Sequence, residues 1–311
     1  MRVKQILLAA AFLTGGTFAA EAQESAAMTF IDNALNPRMA AMGGVMSGLS
    51  ADAYAQFGNI AAVPHYDDTF SAGVSYSAWQ PTASASNVGI LGAIYKTGRF
   101  GVSVGASASI NAPYMGMDDY GVPTGKYTPT DWRVGAGVSY LITDDFSAGL
   151  GLNYASSKIS AKYPAYYTAF ASLQLMYRIE DFSISLSGNN LGLPVSTHAG
   201  NKFDIPMNGE LSVAYANSWD EHELSAVVDG RVYFGGPLAA GGSVGAEYGY
   251  DSLVYVRAGY HYASVGNGIP SFASAGLGFR FFGVNIDAAY LFGWGNSPLK
   301  HTFTVGVGYS F

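Results

Sequence analysis

Cysteine is absent from the chain, which excludes thiol catalysis, disulfides and a cysteine-anchored lipid. Charge is scarce: Asp, Glu, Lys and Arg make up 12% of the 311 residues, about half the share of an ordinary soluble domain. No apolar run of about 18 residues follows the N-terminus, so helical membrane spans are not expected. Positive charge is in deficit as well, and a net charge of -7 argues against nucleic acid as a partner. The five histidines, at 65, 198, 222, 261 and 301, are scattered and none stands at metal-ligand spacing from a carboxylate. They fall mostly at positions where a solvated imidazole is usual. No glycine loop precedes a helix as phosphate binding requires. Gly101-Val-Ser103-Val-Gly105 matches a nucleophile-elbow pattern but lies inside an alternating segment, where Ser103 reads as an ordinary strand residue. Neither a cofactor nor an enzymatic reaction is expected, and Asp118-Asp119 reads as an exposed acidic pair.

What remains is 40 Gly, 22 Tyr and 18 Phe without long apolar runs, a combination that points to a membrane barrel built of strands. Residues 1–22 have the form of a secretory leader. Arg2 and Lys4 precede an apolar stretch from Ile6 to Ala19, and Ala20-Glu21-Ala22 fits small-x-small cleavage. From 69 onward the pattern repeats every two residues, as in Phe70-Ser-Ala-Gly-Val-Ser-Tyr76 and Phe303-Thr-Val-Gly-Val-Gly-Tyr-Ser-Phe311. Such alternation presents one apolar face and one small or polar face. It predicts fourteen strands, at 69–79, 86–96, 99–110, 131–141, 145–158, 165–178, 181–188, 208–218, 222–233, 242–250, 253–262, 271–281, 283–292 and 300–311.

Connections after even strands are short and those after odd strands are mostly long, such as 111–130, 189–207 and 263–270. Outer-membrane barrels have short periplasmic turns and long extracellular loops, so both termini are expected on the periplasmic side. The fold class is therefore all-β: a 14-stranded antiparallel transmembrane barrel over 69–311, preceded by the leader at 1–22 and a segment at 23–68. That segment is too apolar for a disordered tail, and a barrel of this size has a lumen to fill. It is read as a hatch folded into the lumen, with a short helix at 50–57 capped by Ser50 and with Arg38 paired to an inward acid.

Placing the large apolar residues toward lipid puts Arg133, Glu210, Asp229, Arg231, Glu247, Arg257, Arg280 and Asp287 on the lumen face. A charge on the lipid side costs about 2–4 kcal/mol at the bilayer midplane. These residues read first as a structural ion-pair network and second as a channel lining. Aromatics near strand ends, Trp79, Tyr140, Tyr154, Tyr177, Trp219, Tyr250, Tyr262, Tyr290 and Tyr309 among them, fit interfacial girdles. The 111–130 loop is apolar for an extracellular loop. Tyr114, Met115, Met117, Tyr120 and Tyr127 form either a lid or a contact surface.

Several motifs carry a family resemblance. Asn36-Pro37-Arg38-Met-Ala-Ala-Met42-Gly43-Gly44, Asp52-Ala-Tyr-Ala and Asn59-Ile-Ala-Ala62 resemble the N-terminal hatch of the FadL-like outer-membrane superfamily, more narrowly its PorV/PorQ branch. Ile60 stands where that branch usually has proline. Gly188-Asn-Asn-Leu-Gly192, the run from Ala246 to Tyr260, Ala275 to Arg280 and His301 to Phe311 continue the likeness across the mature chain. The resemblance implies a fourteen-stranded barrel acting with type IX secretion components and secreted cargo. The alternative it implies is a FadL-like transporter of hydrophobic small molecules. Tyr309 and the terminal Phe311 resemble the signal read by the barrel assembly machinery.

Overall fold

The computed structural model describes residues 26–33, 36–83, 85–118, 120–197, 200–234, 239–263 and 269–311. The leader at 1–22, Asp119 and His198 lie outside the described residues. Fourteen strands close into one barrel: β1 (Phe70–Trp79), β2 (Ser86–Thr97), β3 (Phe100–Ile110), β6 (Thr130–Leu141), β7 (Phe146–Lys158), β8 (Tyr166–Ile179), β9 (Phe182–Gly192), β12 (Asn208–Trp219), β13 (His222–Tyr233), β14 (Ala239–Tyr250), β15 (Val254–Ala263), β16 (Phe272–Phe281), β17 (Val284–Phe292) and β18 (Thr302–Ser310). Barrel neighbours follow chain order and pair antiparallel, and β18 closes on β1 with Val74 opposite Val307. The closure is finished by the terminal residue, whose backbone exchanges hydrogen bonds of 2.9 and 3.0 Å with Phe70.

Two features depart from the sequence reading. The loops at 111–130 and 189–207 each contain a small hairpin, β4 (Tyr114–Met117) with β5 (Pro123–Tyr127), and β10 (Val195–Ser196) with β11 (Lys202–Phe203). Strand β9 also runs on to Gly192 rather than stopping at 188. The reason is a bulge. Leu173 pairs with Gly188 but Ala171 pairs with Leu191, so an additional residue of β9 is accommodated opposite Ser172. Asn190 takes a left-handed conformation (φ 56), which asparagine tolerates better than most residues. The bulge turns the Asn190 amide inward, where it donates to Asp32 at 2.6 Å and to the carbonyl of Pro206 at 3.1 Å.

Alternation sorts the side chains by polarity. Along β1, Val74 and Tyr76 are exposed on the outer wall while Ser71, Ser75 and Ser77 are buried inside. The outer wall carries Leu91, Val104, Leu152, Leu175, Val244 and Leu277 in the same way. Buried apolar residues are concentrated in the N-terminal segment and the wall against it, including Met42, Val45, Ile60, Ala61 and Val63. This is an inside-out arrangement for a soluble protein and the expected one for a barrel in lipid.

Candidate functional site

Residues 36–66 lie inside the barrel, and the motif that opens them has a local reason at each position. Asn36 caps helix α1 (Pro37–Ala41), its side chain accepting from the Met39 N–H at 2.9 Å, and Pro37 occupies the first helical position, which needs no donor. Gly43 and Gly44 both have left-handed φ, 75 and 76, and turn the chain directly after the helix. Gly43 also abuts the Tyr260 backbone, and Gly259 abuts Met42 and Gly43, so the chain touches the wall where neither side has a side chain. Asn59 caps the 3-10 turn Ile60–His65 by accepting from Ala61 N–H at 3.1 Å, and its amide reaches Ser185 at 3.1 Å. The helix expected at 50–57 is only a 3-10 turn, Ala55–Phe57. Asp52 accepts from the Tyr54 N–H at 2.8 Å, a local turn that competes with helix, and Ser50 accepts from Arg38 instead of capping.

A coiled segment inside a barrel has few backbone partners of its own, and unpaired buried backbone is costly. The inner wall supplies them. Ser147 donates to the carbonyl of Ala61 at 2.6 Å, Ser183 to Gly48 at 2.8 Å and Ser212 to Ser47 at 2.9 Å. Ser274 donates to Ala41 at 2.9 Å and accepts from Gly43 at 3.0 Å. Gln174 accepts from Ile60 N–H and donates to Gly58, both at 2.6 Å. Ser103 donates to Gln56 at 2.7 Å, which occupies the hydroxyl that the elbow pattern singled out. In the sequence alone the inward serines are small residues of the lumen face. Their recurrence on one parity was the available signal that this face binds something polar.

The inward charges form two groups. In the first, Arg38 contacts Glu247 through two nitrogens at 2.8 and 3.1 Å, Arg257 joins Glu247 (2.5 Å) to Asp287 (2.6 Å), and Arg280 completes the chain at 3.0 Å from Asp287. In the second, Arg231 contacts Glu210 at 2.9 and 3.1 Å, and Glu210 also accepts from Ser47. Arg133 and Asp229 stand outside both. Arg133 donates to the Ile31 carbonyl at 2.7 Å and lies 4.1 Å over the Phe57 ring, with its Nε unpartnered. Asp229 accepts from Ser243 N–H at 3.0 Å and leaves one oxygen unpartnered. Within the N-terminal segment, burial pushes the carboxyls of Asp32 and Asp52 up, against the opposing pull of Arg231 and Arg38 respectively. Burial, reinforced by Arg178, holds His65 neutral down to about 4. His261 is buried rather than solvated, 3.0 Å from Ser243 and stacked on Phe272.

On the side of the short turns the lumen opens into a polar vestibule of about 1070 Å³. Arg38, Asp52, Tyr66, Glu223, Arg280 and Asp287 are among its lining. Near the other end, a space of only about 50 Å³ lies beside Phe30, Trp79 and Asp131. The N-terminal segment lies between them. Outside the barrel the β4–β5 hairpin exposes Tyr114, Met115, Met117 and Tyr120, and the hydroxyls of Tyr114 and Tyr127 donate to Ile159 and Lys158 at 2.7 and 3.3 Å. At the seam, Tyr309 and Phe311 face outward with their rings 5.9 Å apart, and Phe311 lies 5.3 Å from Phe70.

No family model matches the sequence, and no curated protein matches it. Solved structures do. The toluene transporter TbuX of Ralstonia pickettii is 14% identical, with 89% of this chain and 98% of that chain covered at a TM-score of 0.64. The toluene transporter TodX of Pseudomonas putida is 12% identical, with coverages of 89% and 97% and a TM-score of 0.62. A FadL homologue of Pseudomonas aeruginosa is 13% identical, with coverages of 89% and 98% and a TM-score of 0.57. At such identities the likeness is one of fold, and it spans nearly the full length of both partners: the chain has the fold of the FadL-like outer-membrane barrels.

Proposed function

We propose that the chain is an outer-membrane transporter of hydrophobic small molecules, in which residues 23–68 act as a hatch that leaves its seat to let a solute pass. The observation that carries this reading is the closed barrel filled by its own N-terminal segment, in a fold shared with solved hydrocarbon transporters. The hatch is held by apolar patches, such as Met39 and Ala41 in one cluster with Phe272 and Leu291 and Met42 and Val45 in another with Ala214 and Val227, and between them by hydrogen bonds and ion pairs. Polar contacts of this kind are exchangeable with water when the segment shifts. The charges on the lumen face, Arg133, Glu210, Asp229, Arg231, Glu247, Arg257, Arg280 and Asp287, hold the seat and line the path below it. Tyr309 and Phe311 serve as the assembly signal.

The test is uptake of a labelled monoaromatic hydrocarbon by cells with full-length lipopolysaccharide. The polysaccharide layer, not the lipid, is the barrier such a solute faces. Cells carrying the chain are expected to take up the label several times faster than cells lacking it; equal rates would remove the reading.

A second reading has its own observation. The exposed Tyr114, Met115, Met117 and Tyr120 on a hairpin above the barrel suit a protein contact, as the PorV/PorQ resemblance implies for type IX secretion components and their cargo. Crosslinking in intact cells followed by mass spectrometry separates the two. Recovered secretion components favour the contact, and a barrel recovered alone favours transport.

A further inference from the structure

Lysine is distributed unevenly along the barrel axis, while arginines such as Arg99, Arg178 and Arg280 stand at the acidic end. The short-turn end carries Asp67, Asp68, Asp144, Asp145, Glu180, Asp181, Asp220, Glu221, Glu223 and Asp251. Of the lysines after the leader, only Lys96 lies at that end. It points inward and donates to the Tyr66 carbonyl. Lys126, Lys158, Lys162, Lys202 and Lys300 all lie at the long-loop end, which the loop lengths place outside the cell.

Three of these lysines converge on one stretch of wall. On β7, Leu150, Leu152 and Tyr154 face lipid, and the same parity puts Lys158 on the lipid side at the strand's outer end. Beneath it is an aromatic belt. Trp132 and Tyr154 have ring centroids 5.9 Å apart, and Tyr154 stacks on Tyr167, also at 5.9 Å. Ser156, between Tyr154 and Lys158 on the same face, is in register with Trp132 and Tyr167 and is buried beneath them. Two strand residues rise about 6.7 Å, so Lys158 sits roughly one headgroup layer above the belt. The Tyr127 hydroxyl bonds the Lys158 carbonyl and the Tyr114 hydroxyl that of Ile159, which seats the β4–β5 hairpin and its exposed Lys126 against this strand end. Lys162 follows in the same loop, its ammonium 5.7 Å from the Tyr163 ring. Among the described residues no carboxylate pairs with Lys126 or Lys158. Asp118 is occupied by the N–H groups of Tyr120 and Val122 in its own turn.

We propose that Lys126, Lys158 and Lys162, set above the Trp132–Tyr154–Tyr167 belt, bind the phosphates of an anionic glycolipid of the outer leaflet. The belt fixes the depth at which acyl chains end and phosphates begin, and the ammonium groups stand at that depth on the lipid side. A basic residue at an anionic membrane surface contributes a preference of about fivefold, and three together on the order of a hundredfold. The uneven distribution also puts five of the lysines at the end that faces the phosphate-rich leaflet.

The experiment uses the full chain in phosphatidylcholine nanodiscs doped with diphosphoryl lipid A, with native mass spectrometry reading the lipid that stays bound on release. The wild type is expected to retain lipid A in preference to phosphatidylcholine. K126Q/K158Q/K162Q is expected to lose that preference by at least tenfold, while K202Q/K300Q keeps it. Heat-modifiable migration on a gel verifies that each variant is a folded barrel. Equal retention by the triple variant overturns the proposal, as does equal loss in K202Q/K300Q. Full displacement by millimolar inorganic phosphate also overturns it, because the site would then be one for a free anion.

Discussion

Replacing Gly259 by leucine is expected to turn a closed barrel into a conducting pore. Gly259 faces the lumen from β15, and a Cβ there would overlap the backbone of Met42 and Gly43. Backbone cannot step aside as a flexible side chain can, so the hatch corner must leave the wall. The strand itself has no reason to unfold, because its ladder with β14 and β16 is untouched. Without its plug a fourteen-stranded barrel is wide enough for water and ions, as larger barrels are. In planar bilayers the variant should show stable conductance steps at least about tenfold above the wild type. The control is Gly89→Leu. Gly89 is exposed on the outer wall with open space around it, and a leucine there meets only lipid. G89L should stay closed. A closed G259L, folded by heat-modifiable migration, would mean that the hatch seat yields without opening.

Replacing Glu247 by glutamine is expected to produce the largest loss of stability of any single charge removal. Glu247 is buried between Arg38 of the hatch and Arg257 of the wall, with one oxygen serving Arg38 and the other shared with Arg257. The amide keeps the volume but leaves the two guanidinium groups facing each other with only Asp287, which Arg280 also shares, and the Asp52 carboxyl near Arg38 to balance them. Breaking a buried pair by removing one partner costs about 3–5 kcal/mol, since the remaining charge stays desolvated. The pair also joins the hatch to the wall, so the cost falls on docking. Urea unfolding in lipid vesicles should register it. Arg99→Ala is the contrast: Arg99 and Asp144 form a 2.7 Å pair with 47% and 86% of their side chains exposed, and losing such a pair costs about 1 kcal/mol or less. Comparable losses for the two variants would mean that the Arg38–Glu247–Arg257 cluster is solvated rather than structural.

The legibility of this molecule follows from where its constraints lie. A strand in lipid must alternate, because a misplaced charge or an exposed serine row is costly on the outer face. That is why Val74 and Tyr76 against Ser75 and Ser77, repeated around the wall, fix every barrel strand to within a few residues. The bulge in β9 escaped because it breaks the period it interrupts. Asn189-Asn190 reads as a loop until the left-handed Asn190 is seen bonding to Asp32 of the lumen segment. The β4–β5 and β10–β11 hairpins lie above the membrane, where no lipid enforces alternation. The side to which each charge points was likewise readable, since parity decides it. Which charges pair was not. Arg133 lies over Phe57 and Asp229 beside Ser243 because of where the hatch coils, and coil geometry leaves no period in the sequence. The motif Asn36-Pro37-Arg38 through Gly43-Gly44 lies in the segment inside the barrel, but the partners of that segment, Ser147, Gln174, Ser183, Ser212 and Ser274, are scattered over five strands and meet only in the closed barrel.

For transport, the hatch must seal the barrel and a solute must pass only when it moves. The lack of cysteine makes a direct test possible. A Cβ on Gly73 would lie 3.3 Å from the Cβ of Ala53, within reach of a disulfide once the tip of the Tyr54 side chain, 2.8 Å from that Cβ, swings aside. With the Ala53→Cys and Gly73→Cys substitutions combined, oxidation should tie the hatch to β1. Hydrocarbon uptake by the oxidised cells should then fall to that of cells lacking the chain and return on reduction. Uptake that is the same oxidised and reduced, with the tether verified on a gel, would contradict the claim.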